Sequence, residues 1–200
     1  MYRCLIDEPN IFNLKVTSPT FGKNLPPQFL DQHWEIEDLR KYVLSCTSEG
    51  LFLPFVKEYL PQRSRILEGG CGRGKIVNVL NHHGYNSVGI DFAEKTVRKV
   101  NEAVPGLDVR LGDVRNLPFD NSEFDGYISA GVIEHFWDGY DDILSEMSRV
   151  LRKGGFLFVS FPYMSTIRKL KATVGSYLHH SSFEVERESD NFYQFALDYE

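Results

Sequence analysis

The residues best suited to chemistry form one short run, Glu68-Gly69-Gly70-Cys71-Gly72-Arg73-Gly74. Glycines in series permit positive φ and carry no Cβ, so backbone N–H groups can approach a ligand closely. Three nucleotide-binding patterns compete for the run. The dinucleotide fingerprint Gly-x-Gly-x-x-Gly is met by Gly70 and Gly72, but Lys75 stands where its third glycine belongs. That disfavours an NAD-dependent oxidoreductase. A phosphate cradle Gly-x-x-x-x-Gly-Lys-Ser/Thr fits Gly69, Gly74 and Lys75, yet fails at Ile76, where a metal-binding hydroxyl is required. The pattern acidic-Gly-x-Cys-Gly-x-Gly fits at every position. Further carboxylates follow at intervals, Asp91 seventeen positions after Gly74 and then Asp113. Glu134-His135 comes later, and imidazole titrates near neutral pH, as an acid or base needs.

The elements that must position these groups alternate in type. Arg65–Glu68 reads as a short apolar strand ending in glycines, and Ile76, Val77, Val79 and Leu80 mark a helix stopped by Gly84. Ser87–Asp91 is a second strand, followed by a helix over Ala93–Val104 with Val97 and Val100 inward. Val109–Leu111 and Tyr127–Ala130 make a third and a fourth strand. Ile143, Met147, Val150 and Leu151 define an amphipathic helix ended by Lys153-Gly154-Gly155. Phe156–Phe161 is a nearly continuous apolar run, as expected of a strand buried on both faces. Upstream, Trp34–Leu60 has a helical pattern closed by Pro61, and residues 1–30, with Pro9, Pro19, Pro26 and Pro27, read as an irregular arm. Strands alternating with helices imply right-handed parallel βαβ units. The fold class is therefore α/β, a doubly wound, mostly parallel sheet whose ligand site lies at the carboxyl ends of the strands.

With the elements placed, Ile66-Leu67-Glu68-Gly69-Gly70-Cys71-Gly72-Arg73-Gly74 resembles motif I of the class I S-adenosylmethionine (SAM) dependent methyltransferases, of the methyltransferase type 11 kind. The resemblance spans roughly residues 48–162 and includes four more signals in order: Asp91, Gly112-Asp113-Val114 before Leu117-Pro118-Phe119, Phe124-Asp125 leading to Gly131–Phe136, and Leu151–Gly155. It implies a Rossmann-like fold with SAM as cofactor and S-adenosylhomocysteine (SAH) as product. It also implies roles. Glu68, Gly70 and Gly72 would hold the amino-acid end of SAM, with Ser129 or Ala130 capping it. Asp91 would accept the ribose hydroxyls, with Phe92 next to it. Asp113 would take the adenine amino group, and the Val114 N–H would meet the ring. Each acid also has a plainer role open to it: Glu68 as a partner of a helix dipole, Asp91 as a helix N-cap, Asp113 as an Asx-turn residue. His135 is the first choice for a general base where the acceptor still carries its proton, the alternative being that Glu134-His135 only lines the pocket. Some RNA-end methyltransferases hold a metal with Glu-x-x-Glu-His here. Gly131 stands in place of the first Glu, and His179-His180 read as solvated, so no metal is expected.

Composition narrows the class further. The 200 residues carry a formal charge of −6 and no basic run, which disfavours a nucleic-acid partner. Cys4, Cys46 and Cys71 show neither disulfide nor metal spacing, and no apolar stretch approaches a membrane span, so a cytoplasmic protein is expected. A small-molecule acceptor is the leading expectation. The rivals are a macromolecular acceptor and a SAM- or SAH-binding domain without transfer. Residues 1–47 read as an N-terminal arm and helix that could serve as a lid, 48–162 as the SAM-binding core, and 163–200 as the start of a substrate or lid region. In the family a strand hairpin follows beside strand 5. Only 38 residues follow Pro162, so a truncated chain lacking that hairpin is expected, its edge strand exposed or covered by a second copy in a homodimer. Acceptor specificity would reside in the end segments, where Trp34, Tyr42, Phe136, Trp137 and Tyr163 are aromatic candidates for a pocket wall.

Overall fold

The alternation of strands and helices builds a parallel sheet. A computed structural model describes residues 12–14, 38–46, 50–136, 139–163, 165–167, 170, 177–179 and 195–196. The chain divides into two compact units, one of Pro27–Ala130 with Asp142–Val159, the other of Met1–Pro26, Gly131–Asp141 and Ser160–Glu200. In chain order the elements are β1 (Phe12–Leu14), α1 (Leu39–Ser45), α2 (Leu53–Tyr59), β2 (Arg65–Gly69), α3 (Lys75–His82), β3 (Asn86–Asp91), α4 (Glu94–Ala103), β4 (Val109–Leu111), β5 (Phe124–Ala130), α5 (Asp141–Val150), β6 (Leu151–Ser160), β7 (Tyr177–His179) and β8 (Phe195–Ala196). A 3₁₀ turn spans Ile133–His135.

The larger unit holds a five-stranded sheet in the order β4-β3-β2-β5-β6. Strand order reverses beside β2, the first strand of the sheet, which pairs in parallel with β3 on one side and β5 on the other. That reversal is the switch point at which doubly wound sheets bind ligands. Ile66 and Ile128 pack with Leu53, Val56 and Leu80 on one side of the sheet. Val77, Val97, Val100 and Val109 form a second buried cluster with Val43 of α1. Fully burying a side chain of this size contributes about 1.5–3 kcal/mol, so these clusters set the register from which the loops emerge.

Several sequence expectations change. The helical pattern over Trp34–Leu60 resolves, within the described residues, into two seven-residue helices, α1 and α2. The helix carrying Ile143 and Met147 ends at Val150, and Leu151 already begins β6. The apolar run Phe156–Phe161 is not buried on both faces: Phe156 is 37% and Leu157 40% exposed. Among the described residues β6 is an edge strand with β5 as its neighbour, and an apolar run has the same composition at an edge as at a centre. In the smaller unit, β1 pairs antiparallel with both β7 and β8, so part of the expected irregular arm is a strand. Trp34, Trp137, His180 and most of Ile167–Val174 lie outside the described residues.

Candidate active site

The glycine run turns the chain from β2 into α3. Gly70, Gly72 and Gly74 have φ of +71°, +50° and +70°, the left-handed region that L side chains rarely enter. Gly70 and Cys71 N–H groups both donate to Ile90 O (2.8 and 3.0 Å), anchoring the loop to the end of β3. The close approach is most severe at Gly69, where an added Cβ would lie 1.9 Å from Tyr127 Oη. Tyr127 occupies the volume that any larger residue at 69 would need.

Asp91 locks this loop. It is 5% exposed, and its carboxylate is divided between two backbone donors. Gly72 N–H donates to Oδ2 (2.7 Å) and Ala93 N–H to Oδ1 (2.9 Å). Since Ala93 is the N-cap of α4, one side chain fastens the glycine loop to the start of the next helix. Asp91 is therefore not the N-cap residue the sequence allowed, a place taken by Ala93; it holds that residue's own N–H instead.

Glu68 lies on the face of β2 toward α3 and is 3% exposed, with Oε2 accepting from Val77 N–H (3.2 Å). This is the helix-dipole contact the sequence left open, supplied to an N-terminus whose cap, Gly74, has no side chain. Burial pushes the Glu68 carboxyl well above the usual carboxylate range, the Val77 bond opposes the rise, and the charge of Asp91 adds to it.

Asp113 differs. Its side chain is 39% exposed and accepts from the Arg115 N–H (2.9 Å), the Asx turn, while the Arg115 guanidinium grips both oxygens, the shortest contact being 2.6 Å. Partial burial raises its pKa, but the Arg115 hydrogen bonds and charge outweigh that and leave it below its ordinary value. Val114 is buried and Phe92 half-buried. The segment after Asp113 is stapled from α5: Glu146 Oε2 accepts from Leu117 N–H (2.6 Å), and Arg149 donates to Phe119 O (2.7 Å) and Leu117 O (2.9 Å). Sequence reasoning missed this pair, although its i,i+3 spacing on a helix was a usable signal.

On β5, Ser129 pairs with Gly69 in register and is fully buried, its Oγ without a hydrogen-bond partner; Ala130 is half-buried at the strand end. Tyr127 Oη is likewise buried without a partner, and burial, then the charges of Glu146 and Glu68, push its pKa up.

In the smaller unit, the turn after β5 begins at Gly131, whose N–H donates to Ser160 O (3.0 Å). Glu134 is 3% exposed with Oε2 unpartnered, and burial pushes its pKa up to about 7. His135 beside it is half-buried. Sequence reasoning weighed Glu134 as pocket lining or as half of an incomplete metal set, because nothing local signalled its burial. Among the described residues no three His, Cys, Asp or Glu side chains gather as a metal site requires.

Taken together, a left-handed glycine bend, a backbone-anchored acid at the neighbouring strand end and a further acid past β4 lie at the carboxyl ends of strands beside the switch point of a doubly wound sheet, where such folds bind ligands. The methyltransferase domain family matches residues 67–159. A probable SAM-dependent methyltransferase of Mycolicibacterium smegmatis is 37% identical over 97 residues, covering 48% of this chain and 37% of that protein. The phthiotriol/phenolphthiotriol dimycocerosates methyltransferase of Mycobacterium tuberculosis is 34% identical over 103 residues, covering 50% and 36%. The chain thus spans little more than a third of these curated relatives. A SAM-dependent methyltransferase structure from Methanosarcina mazei superposes with a TM-score of 0.57 over 73% of this chain and 77% of that one, at 23% identity, a likeness of fold. Residues 67–159 therefore match a methyltransferase domain of the class I, SAM-dependent kind.

Proposed function

We propose that this protein transfers a methyl group from SAM to a small-molecule acceptor by in-line displacement. The observation that carries the reading is the double anchoring of the Asp91 carboxylate, which holds the glycine bend and the head of α4 in one fixed arrangement before any ligand arrives. The residues fit the cofactor. The left-handed glycines remove the Cβ atoms that would fill a backbone cradle, and Asp91, held at the end of β3, would accept the ribose hydroxyls. Phe92 and the Val114 backbone would flank and meet the adenine, Glu68 with Gly70 and Gly72 would hold the amino-acid end, and Ala130 with the Ser129 backbone would close it. Asp113 would receive the adenine amino group while sharing its oxygens with Arg115.

When bound, SAM supplies an electrophilic methyl on a positively charged sulfur. What the chain contributes is position: near-attack alignment supplies several kcal/mol of barrier reduction without a proton moving. An acceptor that arrives protonated needs a base, and His135 is proposed for that role. Two free cysteines among the described residues, Cys46 and Cys71, support a cytoplasmic place, and no described helix is long and apolar enough to cross a membrane. A lipid-type acceptor is a second reading, drawn from the relative named for dimycocerosates. Titration calorimetry with SAM, SAH and NAD is the test: SAM and SAH binding is expected, and NAD binding alone overturns the assignment. Transfer of radiolabelled methyl to a metabolite or lipid extract then separates an enzyme from a binding domain.

A further inference from the structure

We propose that Glu146 and Arg149 of α5 are positioning residues for base recognition: by pinning the chain beyond β4, they make the segment Asp113–Asn116 select adenine over other purines. The inference rests on the reading of the strand ends as a SAM site and adds to it two residues and a selectivity.

This segment is pinned twice. At its near end Gly112 N–H donates to Asp91 O (3.0 Å), tying it to the end of β3. At its far end Leu117 N–H donates to Glu146 Oε2 (2.6 Å), and Leu117 O accepts from Arg149 Nη2 (2.9 Å). Between the pins, Asp113 to Asn116 fold back on themselves. Asn116 N–H donates to Asp113 O (3.0 Å), and Arg115 N–H donates to Asp113 Oδ1 (2.9 Å). The segment carries both the acid proposed for the adenine amino group and the Val114 N–H proposed for the ring. The Asp113 carboxylate can turn about its own side-chain bonds, but the backbone that bears it is held from both sides.

The far pin is built for rigidity. Five acceptors surround the Arg149 guanidinium, as many as it has N–H donors: Glu146 Oε1 (2.6 Å), Glu146 Oε2 (2.8 Å), Leu117 O (2.9 Å), Phe119 O (2.7 Å) and Asn121 Oδ1 (3.0 Å). The two carbonyls it grips flank Pro118, whose ring fixes φ. The Arg149 carbonyl in turn accepts from Ser122 N–H (2.8 Å). The pair is also sheltered, its side chains 31% and 15% exposed. A lysine ammonium has three donors and no planar fork, so it cannot replace this arginine. Purines differ at the 6-position in whether they offer an amino donor or a carbonyl acceptor. Reading that difference requires an acceptor and a backbone N–H at a fixed separation, which supporting hydrogen bonds of this kind maintain.

The experiment is calorimetric titration of the whole chain with SAH and with S-inosylhomocysteine, which carries a carbonyl in place of the adenine amino group. Wild type is expected to prefer SAH by about tenfold to a hundredfold, the weight of one charge-assisted hydrogen bond. In Arg149→Lys and in Glu146→Gln the preference should shrink to about threefold or less, through loss of SAH affinity with S-inosylhomocysteine affinity nearly unchanged. Glu146→Gln turns one carboxylate oxygen into a donor, so it cannot keep all the bonds that Glu146 accepts. Asn121→Ala, at an exposed position, removes a single acceptor and should narrow the preference by about twofold. It decides the matter if the other two variants do not fold. A staple that serves stability alone would weaken both ligands alike. An unchanged preference in the folded variants, or no preference in wild type, overturns this inference and leaves the cofactor reading standing. Failure of wild type to bind SAH overturns both.

Discussion

The acids at the two ends of the set Glu68, Asp91 and Asp113 are held in opposite ways. At one end Glu68 and Asp91 are nearly inaccessible and bonded to backbone amides. At the other, Asp113 is substantially exposed and bonded mainly to one arginine two residues away. Backbone partners come with the fold and cannot rotate away, whereas an exposed guanidinium holds its partner against water and side-chain entropy. The difference teaches which end is preformed and which adapts: Glu68 and Asp91 are built into the sheet's rim through backbone bonds, and Asp113 is adjustable through a side chain.

The sharpest way to break the comparison is Asp91→Ala. It strands two buried N–H groups, each charge-assisted bond worth about 1.5–3 kcal/mol, so chemical denaturation should show a loss of about 3 kcal/mol or more. Cofactor affinity should fall by about a hundredfold or more, since each 1.4 kcal/mol is a factor of ten. An Asp91→Ala protein as stable as wild type would remove the distinction between the two ends.

Next comes Gly69→Ala, which places a methyl against the Tyr127 ring and should cost about 1–3 kcal/mol by overpacking. Tyr127→Leu in the same chain should recover part of it, with a coupling energy of about 1 kcal/mol or more in a double-mutant cycle. Additive costs would mean that the loop does not rest on the tyrosine.

The pH dependence follows with its sign. Glu68 has a folded-state pKa above its unfolded value, so the folded protein binds the extra proton and stability falls as pH rises above about 4.5. The limiting slope is about 1.4 kcal/mol per pH unit per proton. Glu134 adds to the decline between its unfolded value and about pH 7. Thermal melts of Glu68→Gln should show a shallower decline than wild type, and an identical profile would remove Glu68 from the account.

The smallest effect belongs to the exposed end. Asp113→Asn should change stability by less than about 1 kcal/mol, an exposed ion pair contributing little. Its contribution should be present above its unfolded pKa and fade as pH falls through the depressed folded value. Added salt should shrink the difference further.

Much of this arrangement is local and so was readable in the residues. A glycine run after an apolar strand, an acid at the next strand end and an alternation of periods are short-range signals, and they place β2, α3, β3 and Asp91 correctly. The Asx turn at Asp113 is also local, as its alternative role suggested. What was not readable spans distance. Gly69 and Tyr127 meet across 58 positions, the length of chain needed to bring β5 beside β2. The strand at Phe12–Leu14 exists through pairing with residues near 178 and 195. The burial of Glu134 and the exposure of Phe156 depend on neighbours that a window of sequence does not contain.

The fit of tyrosine beneath glycine also gives the molecule's history a direction. A lineage that enlarges position 69 while the ring at 127 remains passes through a state in which the added atom overlaps a hydroxyl and something must shift. Shrinking the ring first leaves a void, which weakens the protein but does not forbid it. Two substitutions that each weaken the protein alone are thus easier to bear together, and the hydroxyl ties the history of position 69 to that of position 127.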